Sequence, residues 1–257
     1  KSKIGSSMFP KLKYCSRCCL PETLEGIKFN KYGICSFCNL SEDKMNIEWE
    51  ARSKLLKNKF NKHKNENYYD CLLPISGGKD STFQSYVLTN IYKLNPLSIT
   101  HGNNWMSKTG RANLENCLSK FDLDNLILIP SRKKINIVAN QSLQKIGDAC
   151  WHCHIGVGAF TMQVSLDWKL KLLVFGEAIS DNDSRSNFNQ LYHDPYFFVK
   201  LSAKKTSEEF VNKSLTKKKI SLWSYPKKQK IKEFKPELIA LGQYIFWDEQ
   251  KNIEFIN

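Results

Sequence analysis

From Tyr69 to Ile179 the chain repeats one unit: a short apolar run, a turn, then apolar residues at helical spacing. Cys71 to Ile75, Pro96 to Thr100, Leu126 to Ile129 and Leu172 to Phe175 read as four strands, each short and closed by turn or polar residues. Between them run helical patterns: Phe83, Tyr86, Val87 and Ile91; Leu114, Cys117, Leu118 and Phe121 within Arg111 to Phe121; Ile135 to Ile146; and about Ile155 to Trp168. Strands alternating with helices need a parallel sheet covered on both faces. The predicted fold is therefore α/β, a Rossmann-like doubly wound parallel sheet. Pro74 removes one ladder donor and marks a strand end or irregularity.

The first strand runs into Ser76-Gly77-Gly78-Lys79-Asp80-Ser81 and then into a helix. Two glycines let the backbone turn sharply and bring its N–H groups close to an anion, at the positive end of the new helix. The hydroxyls of Ser76 and Ser81 add donors and Lys79 adds a charge. Asp80 would repel bare phosphate, so its presence implies a Mg²⁺ bridging the two. Walker A spacing needs four residues between Gly and Gly-Lys, and this loop lacks them.

Ahead of the sheet, Cys15-x-x-Cys18 and Cys35-x-x-Cys38 stand sixteen residues apart. Each pair can place two thiolates on one metal, which predicts a tetrahedral four-thiolate zinc site of structural type, with no open position. Cys19 is read as a bystander. The other four of the nine cysteines fall into two kinds. Cys71 and Cys117 lie on apolar faces and read as core. Cys150 and Cys153 lie in Cys150-Trp151-His152-Cys153-His154, just ahead of a helix, where thiols ionise more readily. This cluster reads as a nucleophile, a partial metal site or a substrate wall, against a simple packed pair of thiols. Thr100 and His101 end the second strand and Glu177 follows the fourth, where ligands collect in open sheets. His101 and Glu177 read equally as strand-end polar residues. His63 reads as surface, and His193 carries no assigned role.

Lys and Arg exceed Asp and Glu by 39 to 25, a formal charge of +14. The lysines are scattered, with dense runs only at 217–219 and 227–235, so solvated faces explain them better than nucleic acid. No apolar run approaches the ~20 residues of a membrane helix and no signal peptide is evident, so a reducing cytoplasm fits the thiols.

The loop resembles the PP-loop of the ATP pyrophosphatase superfamily, Ser-Gly-Gly-x-Asp-Ser. Three further stretches narrow the likeness: Tyr14-Cys15-Ser16-Arg17-Cys18 through Cys38, Gly147-Asp148-Ala149-Cys150-Trp151-His152-Cys153-His154, and Leu241-Gly242-Gln243-Tyr244-Ile245-Phe246-Trp247-Asp248. Together they resemble the N-acetyl sugar amidotransferase family, over nearly everything from Tyr14 onward. That resemblance implies ATP cleavage to AMP and pyrophosphate, with an acetamido group converted to acetamidino on a surface-polysaccharide or flagellin-glycan sugar. It implies ATP, Mg²⁺ and Zn²⁺ as cofactors, and separate glutaminase and cyclase-like subunits as the ammonia source. Ser76 to Ser81, Thr100 and His101 become the nucleotide contacts. Lys79, Asp80, Cys150, Cys153, His154 and Glu177 become the catalytic candidates.

The expected organisation is a vector-derived remnant over 1–7, a zinc unit over 8–42, a helical connector over 43–68 and the nucleotide domain over 69–179. A mobile loop and the rest of the catalytic domain follow over 180–257, shorter than in the family. Two rival readings remain. A tRNA-thiolating PP-loop enzyme would suit the charge, but iron–sulfur members need a late third cysteine and none follows Cys153. A zinc-binding module without catalysis would leave the complete loop unexplained.

Overall fold

In the computed structural model the described residues are 11–24, 26–102, 104–176, 188–201 and 205–256. Five strands form one sheet: β1 Cys71–Pro74, β2 Pro96–His101, β3 Asn125–Leu128, β4 Leu172–Phe175 and β5 Glu237–Ala240. Their order is β3-β2-β1-β4-β5 and every pairing is parallel. The chain starts at the centre, winds outward to β3, then crosses back past β1 to β4. That reversal between β1 and β4 is the crevice where doubly wound sheets bind ligands.

The helices in chain order are α1 Ser36–Met45, α2 Trp49–His63, α3 Lys79–Tyr86, α4 Lys108–Phe121 and α5 Arg132–Ile146. They continue as α6 Trp151–Trp168, α7 Phe197–Leu201, α8 Lys217–Ile220, α9 Lys228–Phe234 and α10 Glu249–Ile256. Successive strand residues point to opposite faces, so β1 sends Cys71 and Leu73 one way and Leu72 the other. On the first face Cys71, Leu73, Leu172, Val174 and Ile239 meet Leu56 and Phe60 of α2 and Leu114 of α4. On the second, Leu72, Leu97, Leu173 and Leu238 meet Met162 and Val164 of α6 and Ile231 of α9. A third cluster packs Ile135 and Val138 of α5 on Trp151 and Ile155 of α6, together with Phe210 and Trp223. Among the described residues no helix is long and apolar enough to cross a membrane.

Several local expectations need correction. The single connector helix over 43–64 is two helices: α1 begins inside the cysteine unit, and the chain turns at Asn46 before α2. The helix behind the second cysteine cluster starts at Trp151 rather than near Ile155. Gly147 ends α5 with φ +71°, and Asp148 Oδ1 accepts from Cys150 N at 2.7 Å, so Trp151 to His154 form the first turn of α6. A fifth strand, β5, lies in the tail after Pro236, where the sequence pattern predicts none. His63 is not a free surface group. Its ring is only 13% exposed and its Nε2 lies 3.0 Å from Glu237 Oε2, beside the Lys59–Glu237 ion pair. The three side chains clasp α2 to the first residue of β5.

Candidate active site

The glycine loop joins β1 to α3 on the crevice between β1 and β4. Pairing outlasts the strand by one residue, since Ile75 N donates to Ile99 O at 2.9 Å. Gly77 then takes φ +77°, and a Cβ there would fall 2.5 Å from the Leu114 backbone nitrogen. Only glycine satisfies both the left-handed turn and the close approach of α4. Gly78 caps α3 in an extended conformation. Ser81 Oγ donates to Gly78 O at 3.0 Å and accepts from Ser76 N at 3.4 Å, closing the loop on itself. The first-turn amides of α3 have no partners within the helix, and its dipole adds positive potential there.

Lys79 and Asp80 follow at once in that first turn. Lys79 Nζ lies 2.5 Å from Asp80 Oδ2 and 3.6 Å from Glu249 Oε2. Partial burial opposes the lysine charge, but these two acids hold its pKa above the ordinary value. The other carboxylate oxygen of Asp80 accepts from Trp247 Nε1 at 3.3 Å and from Asn252 Nδ2 at 3.2 Å. Neither donor was a candidate from sequence. Trp247 falls in a stretch that carries the family likeness but had no role assigned, and its contact with Asp80 is made only by folding.

A cavity of about 680 Å³ opens beside the loop, with Ser76, Gly78, Asp80 and Ser81 on one wall. Thr100 and His101 of β2, Cys153 and His154 of α6, and Phe175 and Gly176 after β4 border the same space. Thr100 is buried and its hydroxyl donates to Ile75 O at 3.0 Å, so it braces the loop entrance. His101 lies flat on α6: a Cβ on Gly156 would fall 2.2 Å from its Cε1. Burial, then the neighbouring His152, pull its pKa down to about 4, which keeps the ring neutral. Cys150 caps α6 and is exposed, while Cys153 and His154, one turn in, border the cavity. Glu177 lies outside the described residues. His193 borders the cavity although the sequence offered no reason to choose it. It is buried and stacked on Phe175 at 5.1 Å, and burial lowers its pKa to about 4. The run Tyr196-Phe197-Phe198 just after it was the only hint of a buried segment.

The amino-terminal unit is held by the bridges Tyr14↔Pro21 and Phe29↔Cys35. Cys15, Cys18, Cys35 and Cys38 bring four Sγ atoms within 4.8 Å of one another. Cys15 Sγ lies 3.9 Å from Cys38 Sγ, and Cys18 Sγ lies 3.5 Å from Cys35 Sγ. Thiolates around one tetrahedral Zn²⁺ at 2.3 Å bonds would sit about 3.8 Å apart, so the set fits such an ion. Backbone amides of Arg17 and Cys35 donate to Cys15 Sγ at 3.4 and 3.3 Å. Burial pushes the Cys38 thiol up to about 12; on Cys15 burial pushes the same way, but backbone donors outweigh it and bring it to about 6.

No protein-family model matches the chain. A stretch of 69 residues is 36% identical to an uncharacterized protein of Methanocaldococcus jannaschii, covering 27% of this chain and 25% of that protein. Among solved structures, an NH₃-dependent NAD synthetase from Campylobacter jejuni in complex with nitrate superposes with a TM-score of 0.40 and 12% identity. That superposition spans 53% of this chain and 59% of the synthetase chain.

Proposed function

We propose that this chain is an ATP-dependent, AMP-forming amidotransferase that converts the acetamido group of an N-acetylated sugar to an acetamidino group. The observation that carries the reading is the glycine loop, whose Ser76, Gly78, Asp80 and Ser81 form one wall of the cavity at the β1–β4 crevice, with Lys79 in the same first turn of α3. An amide oxygen is a very poor leaving group, and adenylation makes it a good one. The amide oxygen attacks the α-phosphorus as the bond to the bridging oxygen breaks, and pyrophosphate leaves. Ammonia then attacks the imidate carbon, the C–O bond breaks, and AMP departs.

The loop amides and Lys79 hold the β- and γ-phosphates, stabilising the pyrophosphate that leaves. Mg²⁺, when bound, would be held by Asp80 and would offset phosphate charge. Thr100 and His101 border the nucleotide side of the cavity. Cys153 and His154 are assigned to the acceptor side, with the aromatic wall of Phe175, Phe197 and Phe198 suited to the apolar face of a sugar ring. His154 is assigned as the base for the proton that ammonia sheds. Zn²⁺ in the four-cysteine unit is structural, since thiolates fill every position. Separate glutaminase and cyclase-like subunits supply the ammonia, and the setting is cytoplasmic.

The test incubates the chain with ATP, Mg²⁺, ammonium and candidate acetamido sugars. AMP and pyrophosphate should form only with the right sugar, and mass spectrometry should show oxygen replaced by NH. ADP and phosphate as the main products would refute the reading.

A further inference from the structure

We infer that Trp247 and Asn252 are positioning residues that set the metal-binding orientation of Asp80, an inference that rests on the loop being a metal–nucleotide site. Both donate to the same oxygen, Asp80 Oδ1, at 3.3 and 3.2 Å, from positions 167 and 172 residues further along the chain. Both are almost fully buried, Trp247 at 3% and Asn252 at 2% exposure. A buried amide is unfavourable unless it is hydrogen-bonded, and the carboxylate of Asp80 supplies that partner for Asn252.

The segment that carries these donors is anchored without help from Asp80. Gly242 N donates to Gly176 O at 3.0 Å, and Lys44 Nζ donates to Trp247 O at 2.6 Å. The Trp247 ring lies 5.3 Å from that of Phe83 and within 3.1 Å of the Cβ position at Gly176. Asp248 Oδ1 accepts from Gln250 N and Lys251 N at 3.0 and 3.2 Å, fixing the start of α10. Phe255 of the same helix packs on Phe83 and Tyr86, with ring centroids 5.7 and 4.5 Å away. Rigid donors therefore orient a short, soft acceptor. With Oδ1 taken, Oδ2 is the oxygen that can exchange Lys79 for a cation once phosphate draws the lysine away. Outer-shell donors to a ligating carboxylate act on metal affinity in this way.

The experiment measures binding of an α,β-methylene ATP analogue by calorimetry, with Mg²⁺ and with EDTA, to the full chain and to Trp247→Phe and Asn252→Ala. Trp247→Phe keeps an aromatic ring beside Phe83 and removes one donor; Asn252→Ala removes the other, and thermal melts verify that each is folded. Each substitution should weaken binding about tenfold or more with Mg²⁺ and leave the EDTA value unchanged. The Mg²⁺ concentration for half-maximal binding should rise by the same factor. Equal losses in both media would make the two residues merely structural, and no loss with Mg²⁺ would overturn the inference while the nucleotide reading stands. A parent chain whose binding ignores Mg²⁺ would instead overturn both.

Discussion

Gly156 lies inside α6, where glycine costs about 1 kcal/mol of helix stability relative to alanine. Propensity alone therefore says that Gly156→Ala stabilises the chain by that amount. The structure says otherwise. The new Cβ would meet His101 Cε1 at 2.2 Å, Nδ1 at 2.5 Å and Nε2 at 2.6 Å. Phe160 and Trp223 flank the ring with centroids 6.4 Å away, so the open direction is toward the cavity, which His101 borders. Forcing a methyl into a packed site costs about 1–3 kcal/mol, so the two terms leave Gly156→Ala neutral to about 2 kcal/mol destabilised. His101→Ala empties the place the methyl needs. In that background Gly156→Ala should stabilise by about 1 kcal/mol, and the coupling between the two substitutions should be about 1–3 kcal/mol. Urea unfolding of the four variants measures it. Additive effects, or a Gly156→Ala chain more stable than its parent, would refute the reasoning. The same clash pushes His101 toward the cavity, so ATP binding should weaken in Gly156→Ala and recover in the double variant.

Two further outcomes follow from the other centres. Chelation of the metal, or Cys35→Ser, should expose residues 11–45 to proteolysis while the parallel sheet keeps its far-ultraviolet dichroism; a metal-free chain with that unit still protected would contradict a structural zinc. Stability should fall as pH drops from about 6.5 to about 4: unfolded imidazoles take up protons near 6.5, whereas buried His101 and His193 do so only near 4, so the unfolded chain binds more protons in that window. Each contributes a slope of about 1.4 kcal/mol per pH unit, and His193→Gln should flatten the urea midpoint measured across pH; an unchanged profile would contradict its burial as a neutral ring.

The layered fold was legible because it is written in local periods. Four strands with apolar runs and their helices appear in order, and the four cysteines announce a cluster by spacing alone. The boundaries that moved are those decided by caps. Ser107 accepts from Gly110 N at 3.0 Å and starts α4 earlier than its apolar face begins; ahead of α6, Asp148 accepts from the amide of its N-cap residue, Cys150, in a turn that follows Gly147. What stayed hidden is long-range. Glu237 to Ala240 becomes a strand because β4 offers an edge, with Leu172↔Glu237 through Phe175↔Ala240 in register. His193 enters the cavity wall because Phe175 stacks on it, and no periodic signal in 188–196 foretells that contact.

Several of the positions where local rules fail lie near one another. Pro74 ends a central strand, Gly77 stands left-handed, and Asp80 puts a negative charge in an anion-binding turn. Gly156 and Gly158 weaken the middle of the longest helix. Each of the three glycines has a neighbour at the place a Cβ would take: Leu114 against Gly77, His101 against Gly156, Tyr225 and Phe198 against Gly158. A Cβ at Gly158 would fall 1.9 Å from Tyr225 Oη and 2.8 Å from Phe198 Cδ2. Pro74, Asp80, His101 and Phe198 all border the cavity beside the glycine loop. Natural chains break local preference mainly where function demands it. The proposed site therefore draws support from packing as well as from the loop's letters.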